Sequence, residues 1–298
     1  MAVWLNGAIV PKNQAVVSVF DHGLLYGDGV FEGIRFYDGN AFMLQEHLDR
    51  LFLSAAAVLL SIPYTVAQLT DAVCQTIAAY IDNGGDASGY LRLVITRGEG
   101  ALGVDPASCD KPTVFIIADR LQVISGAAKN QGIRAVIVST RRVPNICWDA
   151  RIKSLNYLNN VLARLEARNA NADAAILLNH AGNIAEGALN NVFVVKNGEL
   201  FTPPTTDGAL AGITRQVVLQ LSGTLGIPAQ EKSMSPYDLY TAEECFLTGT
   251  GIELVPVREV DGRVVGACPG AVFTQLQKAF TERVQNESKS SIDIGKEG

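Results

Sequence analysis

Strand-type and helix-type apolar patterns alternate along this 298-residue chain, and this alternation limits its possible folds more than any other feature. Residues 29–37 read as a strand, and the hairpin signal Asp38-Gly39-Asn40 closes it. Apolar side chains then recur at helical spacing from Gln45 to Leu60, and Pro63 follows that helix. The pattern therefore predicts a mixed fold, α+β in its first half and mixed α/β in its second.

The remaining elements and the domain division follow from the same reading. Further strands are predicted at 8–10, 15–20, 90–96, 113–118, 133–139, 174–178, 191–195 and 244–248, and further helices at 66–81, 155–169, 214–225 and 271–284. Small and polar residues at 122–131 predict an interdomain connection. It would join a small N-terminal domain (1–121) to a large C-terminal domain (132–285), leaving 286–298 as a frayed polar tail.

The composition excludes several classes of protein. Hydrophobic residues make up 48% and charged residues 18%, which is typical of a globular chain. The net charge is −6 and no block of lysines and arginines stands out, which argues against a nucleic-acid partner. No apolar run is long enough for a membrane span or signal peptide. The five scattered cysteines predict reduced thiols in the cytoplasm, and no metal-ligand spacing appears.

Lys153 begins an amide-rich segment that is unusual for a linker or a core. The segment reads Lys153-Ser154-Leu155-Asn156-Tyr157-Leu158-Asn159-Asn160 and leads into an alanine- and leucine-rich helix. A lysine amine becomes a nucleophile when burial or cationic neighbours lower its pKa, and it then forms a Schiff base with an aldehyde. A solvated lysine before a helix is the alternative interpretation of this segment taken alone.

Three places could bind a phosphate. Leu210 to Arg215 contains Gly212 and Thr214 just before a helix, where threonine could cap the helix and free amides would face an anion. The glycine-rich turn Thr248-Gly249-Thr250-Gly251 follows an apolar strand. Arg50 lies on a predicted helix and could bind phosphate with two donors. An ordinary cap, an ordinary turn and a solvated arginine are the respective alternatives.

Glu186 is a single acid among small and amide residues, just before an apolar strand. A partly buried carboxylate at this position could bind a protonated pyridine nitrogen and make the ring an electron sink. A glutamate on a surface loop is the alternative. The apolar strand that follows favours the first interpretation.

Taken together, these segments resemble the fold-type-IV enzymes that depend on pyridoxal 5'-phosphate, and most of all the branched-chain amino acid aminotransferases. The resemblance extends from Asn6 to about Glu282, with the family's order and spacing. Its motifs are Tyr26–Arg35, Glu46–Leu51, Lys153–Asn160, Glu186–Phe193, Gly212–Arg215 and Thr248–Val257. It implies a two-domain fold with a smaller N-terminal α/β domain and a larger C-terminal pseudo-barrel domain.

The resemblance also implies roles for individual residues. Lys153 is the implied catalytic residue and Schiff-base lysine. The residues implied to bind the cofactor are Arg50, Lys153, Tyr157, Glu186, Leu210, Ile213, Thr214 and Thr250. The residues implied to bind the substrate are Tyr26, Phe31, Gly33, Arg35, Tyr90, Arg92, Thr250, Gly251 and Ile252. No metal is implied.

The implied reaction is a ping-pong transfer of the amino group of L-leucine, L-isoleucine or L-valine to 2-oxoglutarate. Lys153 would move the α-proton as base and then as acid. Glu186 would pair with the ring nitrogen and Tyr157 with the phenolic oxygen. The family also implies a cytoplasmic homodimer or higher oligomer, in which a loop, here residues 100–105, closes the pocket of the neighbouring subunit.

Some positions depart from the branched-chain pattern. Gly251-Ile252 stand where that pattern has two alanines, and Asn190 stands where it often has glutamate. Gly27–Gly29 and Ile152–Asn156 are closer to D-amino acid aminotransferases and aminodeoxychorismate lyases. The Arg-x-His carboxylate site of the D-specific enzymes is missing after Arg97, whereas the segment around Tyr90 favours the L-enzymes. Both relatives, and a non-catalytic binding module, remain as alternatives.

Overall fold

The chain forms two compact units in the computed structural model, which describes residues 1–121 and 131–294 and the side chains up to Glu287. The first unit comprises Met1–Gln122, Ile152–Asn156 and Val284–Gly298, and the second comprises Val123–Arg151 and Tyr157–Arg283, counting only the described residues of each. None of the helices in the described ranges is long and apolar enough to cross a membrane. The predicted connection at 122–131 lies, except for Gln131, outside the described residues, so this division of domains stays a prediction.

The first unit is built on an antiparallel sheet of six strands in the order β2-β1-β6-β5-β3-β4. The strands are β1 (Ala2–Leu5), β2 (Ala8–Val10), β3 (Gly29–Tyr37), β4 (Asn40–Ala41), β5 (Gly89–Thr96) and β6 (Thr113–Asp119). Its helices are α1 (His22–Tyr26), α2 (Leu44–Ala57) and α3 (Val66–Asp82). Leu48 of α2 and Leu69 of α3 are fully buried in one apolar core with Ile34 of β3.

The second unit contains a nine-stranded sheet with the order β12-β11-β10-β13-β14-β7-β8-β9, in which β15 also pairs with β14. Its strands are β7 (Ile133–Ile137), β8 (Ala174–Leu178), β9 (Ile184–Gly187), β10 (Asn191–Lys196), β11 (Glu199–Thr202), β12 (Ala229–Glu231), β13 (Glu244–Gly249), β14 (Glu253–Val260) and β15 (Arg263–Val264). Its helices are α4 (Leu158–Asn169), α5 (Ile213–Thr224), α6 (Pro236–Tyr240) and the first part of α7 (Ala271–Ile294), whose residues from Val284 onwards belong to the first unit. Ile176, Val192 and Val255 are fully buried in its core. The mixed α/β fold class is thereby confirmed.

Three predicted elements were wrong or misplaced. Residues 15–20 form no strand, and Val16 and Val19 are 70% and 66% exposed, because this β-branched run pairs with no neighbouring strand. The helix predicted from Leu155 begins at Leu158, since the residues before it pair with β3. The last helix continues to Ile294 rather than fraying after Val284. No proline or glycine interrupts residues 271–294, so nothing in the sequence ends that helix earlier.

Candidate active site

Strands β3 and β5 together present a face that carries most of the residues predicted to bind substrate. Phe31, Gly33 and Arg35 share one face of β3, because side chains alternate along a strand. Gly33 pairs with Arg92 and Arg35 pairs with Tyr90 in the antiparallel register, so these β5 residues lie on the same face. We call these five residues the Phe31 face.

Lys153 is attached to this face by backbone pairing. The amide of Phe31 donates to the carbonyl of Lys153 at 3.0 Å, and Ser154 forms an antiparallel bridge with Val30. The amide of Lys153 donates to Oγ of Ser54 on α2 at 3.2 Å. As a result, Nζ of Lys153 lies 4.6 Å from the centroid of the Phe31 ring, within the range of a cation–π contact.

Arg92, Tyr90 and Gly33 are closely fitted to one another. The Arg92 guanidinium lies 4.6 Å from the centroid of the Phe31 ring, and its Nη2 donates to the Tyr90 hydroxyl at 3.4 Å. A Cβ on Gly33 would lie only 1.9 Å from that hydroxyl oxygen. Glycine at position 33 therefore provides the space in which the Tyr90 side chain crosses β3.

The opposite face of β3 carries a buried ionic cluster formed by Glu32, Arg50 and His47. Nε and Nη2 of Arg50 each donate to one carboxylate oxygen of Glu32 at 2.7 Å, and Nδ1 of His47 lies 2.7 Å from Oε2. Burial by itself raises the pKa of Glu32, but the charge of Arg50, His47 and their hydrogen bonds lower it to about 2. Burial, together with the charges of Arg50 and Lys153, lowers the pKa of His47, and Glu32 offsets this only in part.

In the second unit, Glu186 lies on β9 and is 5% exposed, so it is not a glutamate on a surface loop. Nη2 of Arg142 lies 3.0 Å from its Oε1, and the amide of Leu210 donates to its Oε2 at 2.9 Å. Asn191 lies near the same oxygen, with Nδ2 at 3.4 Å, and also donates to the carbonyl of Leu210. The carboxylate is therefore held in one orientation inside an otherwise apolar strand region.

The N-terminus of α5 supplies a group of amides suited to an anion. Gly212 precedes the helix and makes no side-chain cap, so the amides of Ile213 and Thr214 are N–H groups that the helix itself does not use. A Cβ on Gly212 would lie 2.0 Å from Oδ1 of Asn191, so a larger residue would displace the Asn191 side chain. The prediction that Thr214 caps this helix is wrong, because the helix has already begun at Ile213.

At the end of β13 and in the turn that follows, the Thr248 hydroxyl could bind a ligand, whereas the Ile252 amide is already used. Oγ1 of Thr248 is buried and has no hydrogen-bond partner among the described residues. The amide of Ile252 donates to the carbonyl of Gly249 at 3.1 Å. The Ile252 amide thus closes the turn and is not offered to a substrate, and the Ile252 side chain packs against the core of the second unit.

Tyr26 and Tyr157 are the two predicted tyrosines outside the Phe31 face. The Tyr26 hydroxyl accepts a hydrogen bond from the amide of Gly103 at 2.8 Å, and its ring stacks edge-to-face on His22. Tyr26 is thus bound to the loop at 100–105 rather than to the Phe31 face. Tyr157 immediately precedes α4, and its backbone carbonyl accepts the amide of Val161.

The sequence interpretation missed Glu32, His47, Arg142 and Asn191 as site residues. Glu32 lies in the motif Tyr26–Arg35 and His47 in the motif Glu46–Leu51. A signal for them was available, because Glu32 is an acid in an apolar strand, and the helix that follows carries His47 and Arg50 three residues apart. Arg142 had no such signal. It reaches Glu186 across 44 positions of sequence, and its Nε donates to the carbonyl of Gly208, which only the folded unit brings close.

The donor set fits pyridoxal 5'-phosphate, which needs an amine, a carboxylate for the ring nitrogen and donors for a phosphate. Lys153 offers the amine, Glu186 the buried carboxylate, and the amides at the N-terminus of α5 the donors for a phosphate.

Comparisons with known proteins give the same class. Residues 29–260 match the family model described as amino-transferase class IV. A Methanocaldococcus jannaschii protein, provisionally named a branched-chain-amino-acid aminotransferase, is 51% identical over 95% of this chain and 96% of its own length.

Two solved structures are also similar. The branched-chain aminotransferase from Thermoproteus uzoniensis with norvaline has a TM-score of 0.89 and 38% identity, covering 97% of this chain and 96% of that one. The branched-chain amino acid aminotransferase from Thermobaculum terrenum, in its PLP form, has a TM-score of 0.81 and 29% identity, covering 95% of this chain and 93% of that one. On the family match and these identities, the chain belongs to the class IV aminotransferases.

Proposed function

We propose that this chain is a pyridoxal 5'-phosphate-dependent aminotransferase that moves the amino group of L-leucine, L-isoleucine or L-valine to 2-oxoglutarate. The observation that carries the proposal is the contact of the Lys153 ammonium with Phe31, on a face that also holds Tyr90 and Arg92. In a class IV aminotransferase, this combination provides a reactive amine next to a cation for a carboxylate. The relatives named for branched-chain substrates support the choice of substrate.

When bound, pyridoxal 5'-phosphate supplies an aldehyde that reacts with amines and a ring that withdraws electrons from the adjoining carbon. Glu186 would pair with the ring nitrogen, because Arg142 and the Leu210 amide hold its carboxylate in one orientation. Tyr157 would bind the phenolic oxygen, and Leu210 would cover one face of the ring. The phosphate would be bound by Arg50, Ile213, Thr214 and Thr250.

Lys153 would act twice in each half of the ping-pong cycle. Its Nζ would first hold the cofactor. Once the amino acid has displaced it, Nζ would remove the α-proton of the amino acid and return a proton to the aldehyde carbon of the cofactor. The backbone bonds to Phe31 and Ser54 fix the Lys153 backbone while leaving the butyl chain to move Nζ. A positioned amine of this kind serves as both base and acid.

The substrate would be bound by charged and apolar parts of the same face. Arg92 and Tyr90 would bind the α-carboxylate, together with the amides of Thr250 and Gly251. Phe31 would contact the branched side chain, and Gly33 would line the pocket by leaving room for Tyr90. The remaining predicted members are Tyr26, Arg35 and the side chain of Ile252. The apolar ring of Phe31 favours a hydrocarbon side chain.

The decisive test is the first half-reaction, followed by the absorbance of the bound cofactor. L-valine, L-leucine and L-isoleucine should each convert the aldehyde form to the amine form, whereas D-alanine and D-glutamate should not. Borohydride should trap the cofactor on Lys153, and Lys153→Ala should abolish trapping. Conversion by the D-amino acids alone would identify a D-amino acid aminotransferase instead. Pyruvate release from aminodeoxychorismate without any conversion would identify the lyase.

We further propose a cytoplasmic homodimer in which the loop at 100–105 closes the pocket of the neighbouring subunit. Leu102 and Val104 support this, because they are 77% and 81% exposed and apolar side chains gain from being covered. All five cysteines are free, as expected in a reducing compartment. Sedimentation should give a dimer at micromolar concentration, and a fully active monomer would contradict this proposal.

A further inference from the structure

Glu32 is completely buried on the core face of β3, and no step of the proposed reaction uses it. We propose that Glu32, assisted by His47, is a positioning residue that orients the guanidinium of Arg50 toward the cofactor phosphate. The inference rests on the proposed function, which assigns Arg50 to that phosphate. Glu32 and His47 would not touch the phosphate themselves, but would determine through Arg50 how tightly it is bound.

The geometry of the cluster supports orientation as its role. Glu32 receives both Nε and Nη2 of Arg50 at 2.7 Å, in the side-by-side arrangement that fixes the plane of a guanidinium. The Oε2 atom also lies 2.7 Å from Nδ1 of His47, so the carboxylate itself cannot rotate. Arg50 is thereby held in one rotamer, although an arginine near a surface normally samples many.

A purely stabilising role explains this cluster poorly. A buried ion pair is seldom better for stability than apolar side chains of the same size, because taking both charges out of water offsets their attraction. The neighbours of Glu32 on this face, Val30 and Ile34, are fully buried and apolar, so an apolar residue at position 32 would suit the core. An ion pair whose arginine lies at the edge of the core, 11% exposed, is better suited to holding that arginine in place.

The same geometry determines what kind of contribution Arg50 makes. Glu32 compensates most of the positive charge of Arg50, so the arginine would act on the phosphate mainly through directed N–H donors. A lysine has no planar fork and cannot be held by two parallel bonds. Arg50→Lys should therefore keep the charge and still lose affinity for the phosphate.

The experiment compares pyridoxal 5'-phosphate with pyridoxal, which has the same ring and aldehyde but no phosphate. Dissociation constants for both are measured by absorbance on the full-length apoprotein. The variants are Glu32→Gln, Arg50→Met and the double variant. Asp49→Asn serves as the matched control, because Asp49 is exposed on the same helix, next to Arg50, and its removal also deletes one negative charge.

Glu32→Gln should raise the dissociation constant of pyridoxal 5'-phosphate by about tenfold, the scale set by ordering one long side chain, and leave that of pyridoxal within about twofold. In the Arg50→Met background the same change should add nothing, because the two residues act through one interaction. Asp49→Asn should behave like the wild type for both ligands.

Equal weakening of both ligands by Glu32→Gln, or full additivity with Arg50→Met, would overturn the inference and leave only a structural role. If Glu32→Gln does not fold, Glu32→Asp takes its place, since it keeps the charge but cannot reach both donors. Failure of the wild type to bind pyridoxal 5'-phosphate would instead contradict the proposed function. The two failures are therefore distinguishable.

Discussion

Gly33 shows how a single missing side chain shapes the candidate site. It lies on the Phe31 face, pairs with Arg92, and would place a Cβ 1.9 Å from the Tyr90 hydroxyl. The contact is to the end of a side chain rather than to backbone, so a larger residue would displace Tyr90 without breaking the sheet. The consequence is a change in substrate binding rather than in folding.

Gly33→Ala should therefore raise the KM for L-leucine by about 10- to 100-fold, because the Tyr90 hydroxyl and the Arg92 bonded to it would move. The absorbance of the bound cofactor should be unchanged. Gly223→Ala is the matched control, since a Cβ there meets nothing within 4 Å and helix α5 tolerates alanine. An unchanged KM would show that Tyr90 does not contact the substrate.

At this scale the sequence predicted the residue types but not their neighbours. Lys153 and Glu186 could be singled out as candidates from their own segments, whereas Gly33 entered only through the family resemblance. The burial of Glu32 depends on the register of β3 against β5, about 60 positions away, and the Arg142–Glu186 pair depends on how β9 folds back. Such long-range contacts leave no local periodicity in the sequence, so they had to be observed.

Among the elements, the connection that follows β7 is held by one carboxylate from helix α4. Glu166 accepts hydrogen bonds from the amide and hydroxyl of Ser139, at 2.6 and 2.7 Å, and from the amide and hydroxyl of Thr140. Burial alone would raise the pKa of Glu166, but these four bonds lower it to about 2. This connection leads towards Arg142, so Glu166 helps to fix the segment that holds Glu186.

Glu166→Gln should lower the midpoint of urea unfolding at pH 7, because the amide cannot accept all four bonds. The pKa of Glu166 is lower in the folded protein than its ordinary value of 4.5. Its stabilisation is therefore complete above about pH 4.5 and is lost as the pH falls toward 2.

The difference in urea midpoint between the wild type and Glu166→Gln should therefore shrink as the pH falls from about 4.5 toward 2. Glu282→Gln, at an exposed position on α7, is the control and should show no such pH dependence. A difference that stays constant from pH 7 to pH 3 would contradict this assignment.

Elements with a complete local pattern were predicted within a residue, whether helix or strand, as α3 and β8 show. Helices α4 and α7 were misplaced at one end, where no local signal marks the limit. The run at 15–20 has β-branched residues and was predicted as a strand, but it has no partner strand. Strand β14 was not predicted, because it contains Pro256 and proline is unusual inside a strand. Strand formation depends on a neighbour that the local sequence does not specify.

For the whole molecule, a ligand that binds only the folded chain must stabilise it. Pyridoxal 5'-phosphate at 100 times its dissociation constant should raise the free energy of unfolding by about 2.7 kcal/mol. Thermal unfolding followed at increasing cofactor concentration should show the midpoint rising with the logarithm of concentration. Pyridoxal at equal concentration should give a smaller rise, because it lacks the phosphate. A midpoint independent of both ligands would contradict specific binding.

The position of Lys153 along the chain has a consequence for how the protein is made. Residues 152–156 belong to the first unit and pair with β3, although more than a hundred residues separate the two segments. During synthesis, the sheet of the first unit can form before this segment leaves the ribosome. Lys153 then joins a strand that has already formed. A nascent chain shorter than about 156 residues therefore lacks the amine that we propose to bind the cofactor aldehyde.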